Sequence, residues 1–75
     1  MFEKLKELII NYVEVDPENI SPESRFIEDL GFNSYDFMSL LGDLEMEFDI
    51  MVDENEVVKL RTVGDAANYL ESLYQ

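Results

Sequence analysis

Apolar residues recur along the chain at intervals of three and four positions, the spacing that places side chains on one face of an α-helix. The pattern predicts a first helix within residues 2–13 and a last helix that follows Thr62. The apolar positions of these two segments are Phe2, Leu5, Leu8, Ile9, Tyr12 and Val13, then Val63, Ala66, Ala67, Leu70 and Leu73. No segment alternates apolar and polar residues over a useful length, so the pattern predicts no strand.

Short polar side chains stand where three of the helices are expected to begin. Asn33 precedes a long apolar-rich segment over residues 34–48. Asp53 opens a short segment over residues 53–60, and Thr62 precedes the last helix. Each of these side chains can accept a backbone N–H and so cap a helix. The acids that follow three positions later, as in a capping box, are Asp36, Glu56 and Asp65.

The segment between the first two helices predicts a long surface loop. Residues 16–24 contain Pro17 and Pro22, and neither proline can continue a helix from the preceding residues. Ser21 followed by Pro22 favours one helical turn, because Ser caps helices and Pro fits the first helical position. The apolar residues expected to hold this region against the core are Ile20, Phe26, Ile27 and Leu30.

These elements predict an all-α fold, a small antiparallel four-helix bundle with three longer helices and one short helix. We expect residues 1–75 to form a single domain, because 75 residues supply one hydrophobic core and no more. The stability margin of such a small domain is thin.

The segment 34–48 has apolar residues on two sides. At about 100° per residue, one stripe predicts the core face and consists of Phe37, Leu40, Leu41, Leu44 and Phe48. A second stripe, turned away from the first and bordered by Asp36, Asp43 and Glu47, consists of Tyr35, Met38, Gly42 and Met46. The spacing leaves two interpretations open: this stripe is buried under a neighbouring segment, or it is a docking surface for a partner protein.

The charge and composition exclude several classes of function. Eighteen acids against five bases give a formal net charge of −13, which repels nucleic acid and anionic membranes and favours basic partners. The chain has no Cys and no His, which excludes disulfides, the usual zinc sites and every Ser-His-Asp arrangement. We expect no catalytic residue, no metal site and no enzyme activity. No apolar run is long enough to span a membrane, and no signal peptide is evident. We expect a cytoplasmic monomer.

Ser34 lies at the start of the long central helix. A serine at such a position often serves only as a cap. The alternative is that its hydroxyl is modified, because a first-turn side chain is accessible to an enzyme whereas Ser39 lies within the helix. A phosphate ester at this position would lie near free backbone N–H groups at the positive end of the helix dipole.

The stretch FIEDLGFNSYDFMSLLGDLEMEFDI, residues 26–50, resembles the acyl carrier protein family. The matching positions are Asp29-Leu30-Gly31, Ser34, Asp36, Leu44-Glu45 and Glu47-Phe48-Asp49. The resemblance implies a four-helix bundle in which Ser34 receives 4′-phosphopantetheine from coenzyme A through a separate phosphopantetheinyl transferase. The terminal thiol of this arm would carry acyl groups as thioesters, in a fatty-acid, polyketide or other specialised pathway. The further partners implied are acyl-loading and acyl-processing enzymes with basic docking patches.

Several positions depart from the pattern of that family. Asn33 stands where Asp usually precedes the serine, and Tyr35 replaces the usual Leu. Ser39 and Met46 occupy positions where acids are common. We therefore hypothesise a specialised carrier with a dedicated set of partners. The predicted docking residues are Asn33, Tyr35, Asp36, Met38, Ser39, Gly42, Asp43, Met46 and Glu47.

Two other functions remain open at this stage. The same arm can carry an amino acid or a peptide, which would make the protein an aminoacyl or peptidyl carrier. The chain could also be an unmodified acidic adaptor that only binds proteins, an interpretation that the uncharged Asn33 favours.

Overall fold

The computed structural model describes residues 1–73, which form four α-helices and one short 3₁₀ turn. The α-helices are α1 (Phe2–Ile9), α2 (Ser34–Phe48), α3 (Glu54–Val57) and α4 (Val63–Leu73). The 3₁₀ turn is Pro17–Asn19. Across the described residues, extended pairing is limited to one isolated bridge between Arg25 and Thr62. The predicted all-α class with three longer helices and one short helix is confirmed.

The core takes residues from every helix and from the long loop between α1 and α2. The buried apolar side chains are Leu5, Ile9, Ile20, Phe26, Leu30, Phe32, Leu40, Leu41, Leu44, Val57, Val63, Ala66, Ala67 and Leu70. The loop contributes aromatic rings: Phe32 packs edge-on against Phe26 with 5.6 Å between ring centroids. Edge-to-face pairs stabilise a core beyond the apolar area that they bury. The loop is therefore a structural element of the fold.

Helix α1 is shorter than the periodicity predicts. It ends at Ile9, and residues 10–12 continue as turns in which the Tyr12 N–H donates to Ile9 O at 2.9 Å. The bonds from Asn11 and Tyr12 span three residues instead of four, so the chain tightens there while Tyr12 and Val13 still pack against the core. Apolar spacing alone does not distinguish such turns from a continuing helix.

The helical turn in the loop occurs at Pro17 and not at Pro22. The Asp16 carboxylate accepts the Glu18 N–H at 3.0 Å and so caps the 3₁₀ turn. At the second proline, Ser24 instead closes a simple turn. Its hydroxyl accepts the Ser21 N–H at 3.0 Å, and its own N–H donates to Ser21 O at the same distance.

Ile27 is not part of the core. Its side chain is 57% exposed, whereas the other three predicted anchors of the loop are buried. Helix α3 is also shorter than the predicted segment 53–60, because Val58 and Lys59 form a turn after it. Val58 is 75% exposed. Asp53 still caps α3, accepting the Asn55 N–H at 2.8 Å.

The loop is bound to the start of α4 by three backbone hydrogen bonds. Phe26 N–H donates to Arg61 O at 3.0 Å, Val63 N–H to Ser24 O at 2.9 Å and Gly64 N–H to Pro22 O at 2.8 Å. Thr62 and Asp65 form the predicted capping box, in which each side chain accepts the other's backbone N–H. The three backbone bonds hold the loop next to residues 61–64.

Two glycines give opposite expectations for the same substitution. A Cβ at Gly64 would lie 2.9 Å from Pro22 O, the acceptor of its own N–H, whereas a Cβ at Gly42 would meet nothing within 4 Å. We expect Gly64→Ala to lower the free energy of unfolding by about 1 kcal/mol or more. Gly42→Ala should raise it by up to about 1 kcal/mol, because Ala favours the helix interior. Urea unfolding measures both, and a gain in stability from Gly64→Ala would contradict the close approach.

Candidate functional site

Ser34 is the first residue of α2, but it does not cap the helix. Asn33 is the N-cap, with extended backbone angles, and its side-chain oxygen accepts the Asp36 N–H at 2.7 Å. The Ser34 side chain is exposed, and its hydroxyl has no hydrogen-bond partner within residues 1–73. Since Asn33 fulfils the capping role, the hydroxyl of Ser34 is available for chemistry.

Gly31 sets the direction in which the chain enters this helix. Its φ of +81° lies in the left-handed region that favours glycine. Phe32, which follows, is buried against the core. The turn at Gly31 and the buried ring of Phe32 together fix the position of Asn33 and Ser34 at the surface.

An open cleft of about 320 Å³ lies beside Ser34. The loop forms one wall, α2 forms another, and the segment from α3 to the start of α4 forms the third. The lining residues are Phe26, Ile27, Glu28, Ser34, Phe37, Met38, Val57, Val58, Leu60 and Arg61. The exposure of Ile27 and Val58 is explained by this cleft, since both side chains line it instead of filling the core.

The second apolar stripe of α2 is on the surface. Tyr35 is 78% exposed, Met38 47% and Met46 83%, while Ser39 and Gly42 on the same side are half-buried. The interpretation that a neighbouring segment buries this stripe is therefore wrong. We call Tyr35, Met38, Gly42 and Met46 the apolar strip of α2.

The acids beside this strip are held by residues of the N-terminal region. The Tyr12 hydroxyl donates a hydrogen bond to Asp43, and Lys4 Nζ lies 3.6 Å from Glu47 Oε1. Asp43 and Asp36 are half-buried, whereas Glu47 is exposed. The acids thus form an edge of α2 that faces α1, on the opposite side of the strip from the cleft.

The bond to Asp43 raises the pKa of Tyr12 from 10.0 to about 12. The hydrogen bond is the main cause, followed by partial burial and by the negative charges of Asp43 and Asp36. Each of these disfavours the phenolate, because a carboxylate accepts a bond from the O–H form and repels the ionised form.

Comparison with known proteins identifies the family. Residues 3–70 match the family described as the phosphopantetheine attachment site. The chain is also 39% identical over 72 residues to an acyl carrier protein of Wolinella succinogenes, an alignment that covers 96% of this chain and 95% of the relative. The chain belongs to the acyl carrier protein family.

Solved structures of acyl carrier proteins have the same fold. A Mycobacterium tuberculosis protein assigned to this family superimposes with a TM-score of 0.87 at 28% identity, covering 95% of each chain. The thermally stable acyl carrier protein of Enterococcus faecalis gives 0.83 at 25% identity, covering 96% of this chain and 91% of its own. The bundle and the resemblance that were read from the sequence are confirmed.

The prosthetic group of this family is 4′-phosphopantetheine, as predicted. The residues around Ser34 fit such a group. The hydroxyl has the chemistry that a phosphate ester needs, it is exposed, and it opens onto a cleft with apolar walls. Within residues 1–73, no helix is long and apolar enough to cross a membrane, and no three acids are gathered as metal ligands.

Sequence reasoning missed part of the cleft. Arg61 lines it together with Ser34, although the two residues are far apart in the chain. The sequence contains one signal for this placement: Arg61 directly precedes the capping residue Thr62, so its side chain is expected near a helix start. The hydrogen bonds that bring residues 24–26 next to Arg61 have no signal in the periodicity.

The hydrogen bond between Tyr12 and Asp43 predicts a pH-dependent contribution to stability. Because the pKa of Tyr12 is raised in the folded state, this contribution is fully present below pH 10.0 and is lost as the pH rises towards about 12. We expect Tyr12→Phe to be less stable than the wild type by about 1 kcal/mol near neutral pH. Urea unfolding across the pH range should show the difference shrinking only in the alkaline window. A difference that is already gone at neutral pH would contradict the bond.

Proposed function

We propose that this carrier holds acyl intermediates as thioesters on a 4′-phosphopantetheine arm esterified to Ser34, and presents them to partner enzymes of a fatty-acid, polyketide or other specialised acyl pathway. The observation that carries the proposal is the free hydroxyl of Ser34. It lies at the start of α2 next to a residue that already caps the helix. The alternative of an unmodified adaptor gives no reason for this arrangement.

Ser34 would act as the nucleophile during attachment. A bond forms between Ser34 Oγ and the phosphorus next to the pantetheine, and the pyrophosphate bond of coenzyme A breaks, so the adenosine bisphosphate leaves. The Ser34 hydroxyl has no hydrogen-bond partner within residues 1–73, so we expect the transferase to supply the base that takes its proton. When bound, the group supplies the reactive thiol that a chain without Cys lacks.

Asn33 has a defined part in this proposal. Its cap stabilises the first turn of α2, which holds the hydroxyl at the surface. An Asp would cap equally well and would add a charge beside Ser34. Asn33 therefore leaves the capping geometry intact and changes the charge that a transferase meets.

The apolar strip of α2 is suited to partner docking. Two methionines and a tyrosine offer a mobile apolar surface, and the acid edge formed by Asp36, Asp43 and Glu47 offers negative charge along one side. A matching partner has an apolar groove with Arg or Lys on one rim. Such rim charges speed association and make it sensitive to salt, which suits an encounter that must be brief.

The cargo is proposed to be acyl because the named relatives are acyl carriers and because the cleft walls are mainly apolar. The apolar lining residues include the exposed side chains of Ile27, Met38 and Val58. The apolar strip of α2 supports the finer proposal that this protein is a specialised carrier. Met46 stands where general fatty-acid carriers commonly have an acid, and Tyr35 stands where they usually have Leu. The exposed face of α2 is therefore less charged in this protein than in those carriers.

We expect Ser34→Ala to abolish attachment. Incubation of the wild type with coenzyme A and a broad-specificity phosphopantetheinyl transferase should add the mass of one phosphopantetheine group to the intact protein. Ser72→Ala is the control, because it removes an exposed hydroxyl from α4, outside the predicted docking residues. An unchanged mass gain in Ser34→Ala, or no gain in the wild type, would contradict the proposal.

We expect the apolar strip of α2 to limit the rate at which general fatty-acid synthesis enzymes use the acylated protein as a substrate. Met46→Glu and Tyr35→Leu should each raise kcat/KM of a bacterial fatty-acid synthesis enzyme for the acylated protein several-fold, because they restore a rim charge or a smaller side chain. Met51→Glu is the control, since Met51 is 86% exposed and lies outside α2. Turnover of the wild type equal to that of both variants would remove the case for dedicated partners.

A further inference from the structure

Arg61 is exceptional among the basic residues of the chain. The other four have carboxylate partners: Lys4 with Glu47, Lys6 with Glu3, Arg25 with Asp29 and Glu28, and Lys59 with Glu56. Among residues 1–73, the Arg61 guanidinium has no such partner, although the chain contains eighteen acids. A free guanidinium in a protein of net charge −13 is available to an anion that is not part of the chain.

The position of Arg61 is fixed by its backbone. Arg61 N–H donates to Asp65 Oδ2 at 3.3 Å, and Arg61 O accepts the Phe26 N–H at 3.0 Å. These bonds anchor the residue between the loop and the start of α4, while its side chain stays exposed and lines the cleft that also contains Ser34. Within residues 1–73 the guanidinium makes no hydrogen bond or ion pair, so an anion in the cleft can bind it without breaking an existing contact.

The cleft beside Ser34 is lined by one acidic and one basic residue, Glu28 and Arg61. Its acidic lining residue, Glu28, is bound to Arg25 Nη1 at 2.8 Å, which leaves Arg61 as the unpaired charge of the lining. Asp36 and Asp43 are separated from Ser34 by about 200° and 180° around the helix. Asp43 accepts a hydrogen bond from the Tyr12 hydroxyl on that far side of the helix. Asn33, next to Ser34, is uncharged.

We propose that the Arg61 guanidinium binds the phosphodiester that joins the phosphopantetheine arm to Ser34. This inference rests on the proposed attachment at Ser34. The phosphodiester carries one negative charge and is bonded directly to Ser34 Oγ, whereas the rest of the arm is uncharged. A guanidinium presents parallel N–H donors that match two phosphate oxygens, so Arg is well suited to this contact.

The contact has a consequence for the arm. Attachment adds a negative charge to a chain that already carries −13, and Arg61 offsets that charge locally. It also directs the first bonds of the arm towards the cleft and away from the acid edge of α2. The root of the arm then has a preferred direction, while the neutral distal part stays free to move between partner enzymes.

The test compares three holo-proteins by phosphorus NMR: the wild type, Arg61→Gln and Lys59→Gln. Lys59→Gln removes the same charge two residues away, from a side chain that is 72% exposed, paired with Glu56 and absent from the cleft lining. We expect the phosphodiester resonance to shift in Arg61→Gln at low salt and to stay unchanged in Lys59→Gln. High salt should reduce the difference between the wild type and Arg61→Gln, because screening weakens the contact.

Two further measurements separate the possible failures. Intact mass reports whether each protein is loaded, and the melting temperature of each apo-protein reports whether it is folded. Arg61→Lys, which keeps the charge but loses the paired donors, should give an intermediate resonance. Loaded and folded proteins with identical phosphorus resonances would overturn the role of Arg61 and leave attachment at Ser34 intact. No mass gain in the wild type would overturn both proposals.

Discussion

The hydrogen bond from the Asp36 N–H to the Asn33 side chain is the interaction on which the site depends. It ends the loop and begins α2, so it decides which residue has the first helical position. That residue is Ser34, and its hydroxyl makes no hydrogen bond within residues 1–73. If the serine were the cap, its oxygen would accept a backbone N–H and would face the helix instead of the solvent. Asn33 thus takes the capping role, and the hydroxyl of the adjacent Ser34 is left for the proposed attachment.

The loop between α1 and α2 gives this position its surroundings. Its buried rings pack in the core, and its backbone bonds to the start of α4. The same bonds bring Arg61 to the cleft and place the exposed side chains of Ile27 and Val58 on its walls. The loop, which has almost no regular secondary structure, therefore forms the side of the site that faces away from Asp36, Asp43 and Glu47. The two sides of α2 differ in character: one is negative and tied to α1, and the other is mainly apolar with a free cation.

Much of this could be predicted from the sequence, for identifiable physical reasons. The bounds of α2 and the caps at Asn33, Asp53 and Thr62 follow from local signals, in which a side chain bonds to a backbone group two or three residues away. The wrong predictions involve choices that local signals do not decide. Two prolines follow capping residues, and the helical turn forms only after Asp16. Ile27 is apolar, but whether it enters the core depends on which segment packs beside it. The residues that resemble the family's motif were sufficient to predict the bundle and the prosthetic group, whereas the cleft needed the tertiary contacts.

The hydrogen bond between Tyr12 and Asp43 links α2 to the turn that follows α1. A lysine or arginine of a partner that binds the Asp43 carboxylate would find it already hydrogen-bonded to the Tyr12 hydroxyl. The partner's basic side chain must then either bind the Asp43 carboxylate together with Tyr12 or displace the Tyr12 hydroxyl from it. In the second case, binding of a partner to α2 would also loosen the turn that follows α1, because Tyr12 belongs to that turn.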